Sequence, residues 1–158
     1  MDKINHVWNA LQRVRSLEFD AQSGSGTGWT GNGTGSVVVE SPTPEIIIFQ
    51  ESGLWHSATS KGLAFRNVYR WSRFEGTVRL EHLRFGEDHP VYLFDLAPDT
   101  DMICSSAAPH LCRDDEYTAR LELLDSGISL DWKITGPEKD ESIIYRYRYA
   151  ACVPESAD

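Results

Sequence analysis

A chain of 158 residues with 41% hydrophobic and 25% charged residues has the composition of a soluble globular protein and the length for one domain with a sizeable core. Its formal net charge of −9 makes nucleic acid a poor partner, and no apolar run approaches the roughly 20 residues that a membrane span needs. Three cysteines (Cys104, Cys112, Cys152) with no CxxC pair signal neither a zinc site nor a disulfide framework.

With a polar N-terminus and no continuous apolar leader, these are expected to be reduced thiols in a cytoplasmic protein. Asn32-Gly-Thr34 is formally a glycosylation sequon, expected to be unused without secretion. The arginines gather at Arg66, Arg70, Arg73, Arg79 and Arg84, but apolar and acidic residues separate them, so a solvated strand face is expected.

Residues 2 to 18 read as an amphipathic helix. Ile4, Val7, Trp8, Leu11 and Val14 follow i, i+3, i+4, i+7 spacing, with Asp2 as the candidate N-cap. After Ser23 the period changes to two. Strands are predicted over 28–40, 45–51, 54–58, 62–74, 77–85, 90–96, 102–106, 116–124, 128–135 and 142–151. Turn signals separate them, among them Ser41-Pro-Thr-Pro44, Ser52-Gly53, Glu75-Gly76, Asp125-Ser-Gly127 and Gly136-Pro137. No repeat, low-complexity tract or linker divides the chain, so residues 1–158 are expected to form one domain, with the barrel over about 28–151. Eight to ten short strands with tight connections suit a mainly β, antiparallel β-barrel, whose closure removes exposed edges. The N-terminal helix would cap one end.

Gly26-Thr-Gly28-Trp-Thr-Gly31 is literally G-x-G-x-x-G. A phosphate-binding loop of this form follows a strand and opens a helix. Here a helix precedes it, β-branched Val37-Val-Val39 follows, and the P-loop lysine is missing, so the phosphate reading fails. Strand parity explains the spacing better. Trp29, Gly31, Gly33, Gly35, Val37 and Val39 share one face, while Thr30, Asn32, Thr34, Ser36 and Glu40 share the other. An inward glycine strip leaves room for a ligand, for sharp coiling or for close approach of the helix.

Trp29-x-Gly31-x-Gly33-x-Gly35 resembles the opening strand of the lipocalin-like, or calycin, superfamily, closest to the form in the haem-binding nitrobindins. Thr27 stands where that form has its first glycine. With Tyr69-Arg-Trp71, Leu93-Phe-Asp-Leu96, the segment 109–117 and the segment 132–140, the ordered set is similar to a family of uncharacterised lipocalin-like domains. The resemblance implies a barrel and brings no activity with it. Nitrobindins take a proximal histidine from the C-terminal part of the barrel, and no histidine follows His110 here. No cofactor is therefore expected, since haem would need His56, His82 or His110 in a different pocket.

The same parity places Tyr69, Trp71, Tyr117, Trp132, Tyr145 and Tyr147 inward. Arg120, Glu122, Asp131, Lys133, Arg146 and Arg148 then form a mixed-charge outer surface. Fatty-acid-binding barrels use an Arg-x-Tyr on one face, but Arg146 and Tyr147 fall on opposite faces. In 77–85, Val78, Leu80, His82 and Arg84 share a face. Two readings stand: His82 and Arg84 enter the cavity as an anion site with Asp95 as partner, or Arg84 sits in water at the rim. His110 and Cys112 lack a third ligand for a metal, so His110 is expected as a pocket-wall residue and no metal site is expected. Lys139 and Asp140 belong to a polar turn or to the barrel rim.

The expected function is a barrel binding a small apolar or anionic molecule, walled by Trp29, Tyr69, Trp71, His110, Tyr117, Trp132, Tyr145 and Tyr147, with His82 and Arg84 as polar groups. Two alternatives remain. One is an isomerase, lyase or hydrolase using a cavity histidine as base and a tyrosine as acid. The other is a ligand-free interaction module, monomeric or homodimeric.

Overall fold

The computed structural model describes residues 3–24, 30–57, 62–106, 110–112 (backbone only), 115–137 and 139–150. Helix α1 covers Lys3–Arg13 and buries Ile4, Val7, Trp8, Ala10 and Leu11. It ends five residues before the predicted boundary, because β1 begins at once and runs over Val14–Ser23. Val14 and Leu17 fit a helical stripe, yet Leu17, Phe19 and Ala21 also alternate with Glu18, Asp20 and Gln22. The alternation wins because two other strands supply backbone partners on both sides of this segment. The predicted N-cap Asp2 lies outside the described residues.

The remaining strands are β2 (Gly31–Thr43), β3 (Ile46–His56), β4 (Leu63–Phe74), β5 (Thr77–His82), β6 (Val91–Pro98), β7 (Ile103–Ser106), β8 (His110–Cys112), β9 (Asp115–Leu123), β10 (Gly127–Thr135) and β11 (Asp140–Tyr149). Predicted strands 45–51 and 54–58 are one strand. Ser52-Gly53 is no turn, since Gly53 pairs with Gly35 on one side and Phe65 on the other. Each strand pairs antiparallel with its neighbours. β7 joins β9, β9 joins β10, and β11 returns to β1, which closes a ten-stranded barrel, while β8 folds back on the start of β9.

Alternation sets the faces. Val37, Ile47, Phe49, Trp71, Val78, Leu80, Phe94, Leu121, Ile128 and Leu130 are buried inside, while Val38 faces out. The outer faces of β1 and β11 carry Asp20–Arg146 and Glu18–Arg148 ion pairs, the expected mixed-charge surface. Antiparallel order then places the β2–β3, β4–β5, β6–β7 and β9–β10 turns at one end, with α1. Trp8 Nε1 donates to the Pro44 carbonyl at 3.1 Å, Asn5 accepts from Arg73, and the Arg13 guanidinium lies 4.0 Å from the centre of the Tyr149 ring. The helix therefore plugs the end at which its stripe finds the barrel core. Among the described residues, no helix is long and apolar enough to cross a membrane.

Candidate functional site

The opposite end of the barrel is where the inward rows lose their cover. Phe19, Trp55, Phe65, Asn67, His82, Val91, Tyr117 and Ile143 are only half-buried there, and Leu63 is exposed. One layer toward α1, the interior is sealed. At the boundary sits Glu51, 2% exposed, on the inward face of β3 between Phe49 and Gly53.

Glu51 is held by a tyrosine of β11 that belongs to a tyrosine cluster reaching β4. The Tyr147 hydroxyl donates to Glu51 Oε2 at 2.7 Å. Tyr145, stacked on Tyr147 with centroids 5.5 Å apart, shares a 3.2 Å hydroxyl contact with Tyr69. Period two on β11 brings Tyr145 and Tyr147 to the same face, and a single strand register places both opposite Phe19 and Leu17 of β1. The rings continue on both sides: Trp132 stacks on Tyr145, while Phe49 meets Tyr147 and Trp71 edge-on.

Burial decides the electrostatics. It pushes the Glu51 carboxyl up to about 8, against a smaller lowering from the Tyr147 hydrogen bond. Among the described residues no cation counters that cost, so burial favours the protonated carboxyl of Glu51. Tyr69, Tyr145 and Tyr147 are pushed up by burial and by the neighbouring Glu51, and stay protonated as well. Glu51 Oε1, Trp71 Nε1 and Trp132 Nε1 are buried with no hydrogen-bond partner among the described residues. An unsatisfied buried polar group costs roughly 1–3 kcal/mol, so three in one belt are a large liability for a barrel built only to be stable.

The glycine strip serves packing and coiling. A Cβ on Gly33 would lie 2.3 Å from the Phe19 ring, which fills that place, and one on Gly53 would lie 2.0 Å from the Thr34 carbonyl oxygen and 2.6 Å from Gly35 Cα. The space over Gly33 to Gly35 is therefore taken by protein.

The predicted wall residues Tyr69, Trp71, Trp132, Tyr145 and Tyr147 do converge inside the barrel. His82 points inward too, stacked on Tyr69 at 4.7 Å, and burial together with Arg84 lowers its pKa from the ordinary value. Tyr117 is half-buried opposite Ile134. Arg84 does not follow His82 inward. β5 ends at His82, the Leu83 amide donates to the Val68 carbonyl with its side chain buried, and Arg84 lies exposed over the Phe85 ring. Asp95 is not its partner, since it accepts two hydrogen bonds from Arg79, at 2.9 and 3.3 Å. Lys139 reaches Asp115 at 3.5 Å, beside the barrel rim. Trp29 and the side chains of His110 and Cys112 lie outside the described residues.

Cys104 is buried, its thiol pushed up to about 11 by burial and by Asp99, which leaves it a poor nucleophile. Sequence reasoning missed Glu51. Its signal was present: in Ile47-x-Phe49-x-Glu51 the carboxylate shares parity with two core residues.

Compared with known proteins, residues 10–149 match the family model described as Family of unknown function (DUF6314). No curated protein matches the chain.

Proposed function

Because the chain belongs to that family, which brings no activity with it, we propose a function from the barrel itself: it binds a small, largely apolar molecule in the half of its interior that faces away from α1. The observation that carries this reading is the change in cover along the barrel axis. Inward aromatic residues are sealed beside the helix and half-exposed beyond Glu51, so an apolar ligand there removes the surface of Phe19, Phe65 and Ile143 from water. The lipocalin-like resemblance of residues 29–35 agrees with this reading, since that barrel architecture encloses ligand cavities.

Native mass spectrometry of protein purified gently from its own host tests it. The expected result is a discrete added mass that is lost on denaturation. Repeated apo spectra, together with no binding of small aromatic probes to the purified protein, overturn it.

The neutral acid beside three tyrosines favours one second reading, an enzyme on the same barrel with Glu51 as general acid. A ligand recovered from the host and returned chemically unchanged after incubation with excess protein rules that out.

A further inference from the structure

The binding reading leaves the ligand's chemistry open, and the buried polar atoms narrow it. This inference rests on that reading. We propose that Glu51 is the polar anchor of the site, its carboxyl O–H donating to an uncharged carbonyl oxygen on an otherwise apolar ligand.

Three observations lead there. First, Oε2 of Glu51 already accepts from Tyr147 at 2.7 Å, while Oε1 has no partner among the described residues although the side chain is 2% exposed. A neutral carboxyl whose Oε2 acts as acceptor carries its proton on Oε1, so the free position is a donor. Second, Trp132 Nε1, on the ring that stacks on Tyr145, is also buried without a partner among the described residues, and it is also a donor. An indole N–H cannot accept, so an unpartnered indole position offers a hydrogen.

Third, among the described residues no basic group acts on Glu51, and Arg84, the cation nearest in sequence to the inward His82, is exposed. A ligand anion at this depth would meet no counter-charge from the described residues, and a ligand cation would meet donor hydrogens. An uncharged acceptor satisfies the site without either cost.

Four probes of nearly one size separate the outcomes: acetophenone, ethylbenzene, benzoate and benzylammonium, titrated into the full chain and followed by amide chemical shifts. Acetophenone is expected to bind about tenfold more tightly than ethylbenzene, the worth of one good hydrogen bond to a buried donor. Glu51→Leu is expected to abolish that preference, and Glu51→Gln, which keeps an N–H donor, to retain part of it. Equal binding of acetophenone and ethylbenzene overturns the anchor while leaving the binding reading intact. Tightest binding of benzylammonium shows a carboxylate site, and tightest binding of benzoate shows an anion site; either overturns it. Binding of none of the four removes the binding reading and this inference together.

If Glu51→Leu does not fold, the wild-type protein at pH 9.5 replaces it. Deprotonated Glu51 has no hydrogen to give, so the acetophenone preference is expected to vanish there. The groups facing Glu51 from β4 and β11, Tyr69, Tyr145 and Tyr147, are held above their ordinary range, and His82 on β5 is lowered by burial and by Arg84, so raising the pH adds no charge to it. A preference unchanged at pH 9.5 overturns the assignment.

Discussion

The two halves of this barrel are built from the same strands and the same alternation, yet their inward rows are covered to different extents. Beside α1, the inward rows of β3, β4 and β5 end in Ile47, Trp71 and Val78, each fully buried. Away from α1 the same rows continue into Trp55, Phe65 and His82, which keep partial contact with water. The helix makes the difference, because its stripe of Ile4, Val7, Trp8 and Leu11 covers only one end. Among the described residues, the inward rows are fully covered beside the helix and only partly covered at the other end. Glu51 lies where the two regimes meet.

The largest expected effect concerns that boundary. The ordinary carboxyl value of 4.5 and the raised value of about 8 define a window in which folded Glu51 holds a proton that the unfolded chain releases. Stability therefore falls as pH rises through that window, by roughly 5 kcal/mol at full extent, since each unit is worth about 1.4 kcal/mol. His82, with a lowered value, acts in the opposite sense just below 6.5, where the unfolded chain binds the extra proton. Urea midpoints measured from pH 4.5 to 8.5 check this, and Glu51→Gln is expected to flatten the fall. A wild-type curve with no fall in this window would mean that Glu51 is not held neutral.

Core truncations sharpen the comparison. Trp71→Ala in the sealed half is expected to cost about 3–5 kcal/mol, and Phe65→Ala in the open half only about 1–2 kcal/mol, because a half-exposed ring loses less on removal. Denaturant unfolding of both variants measures the contrast, and equal losses would erase the distinction between the halves. Next comes Gly53→Ala, expected to cost about 1–3 kcal/mol as its Cβ meets the Thr34 carbonyl and the Gly35 backbone. If thermal melts show no loss, the close approach of β2 and β3 is not a constraint. The smallest effect belongs to the outer surface. Arg146→Ala breaks an exposed pair with Asp20 and is expected to change stability by less than about 1 kcal/mol in either half of the pH range.

Much of this was legible from residue order. The parity of Tyr145-x-Tyr147, of Tyr69-x-Trp71 and of Trp132 with Leu130 puts the aromatic belt inside, because a strand offers its side chains only two directions. What failed did so for identifiable reasons. Residues 14–18 satisfy the helical and the strand period at once, so only the partners on either side of β1 resolve them. Arg84 left the inward face because β5 ends at His82, and parity cannot see where a strand stops. Glu51 was passed over because a carboxylate reads as solvent-facing by type, although its position in the alternation placed it inward.

The sequence by itself determined the antiparallel barrel, the capping helix and the inward aromatic set, since all three follow from the period of apolar residues and the spacing of turns. Tertiary structure alone decided which end the helix closes, which glycines are filled by a neighbour's ring, and that Glu51 and Tyr147, 96 positions apart, share a hydrogen bond. Period and propensity are properties of neighbours along the chain. A buried carboxyl bonded to a tyrosine of a distant strand is a property of what packs around it.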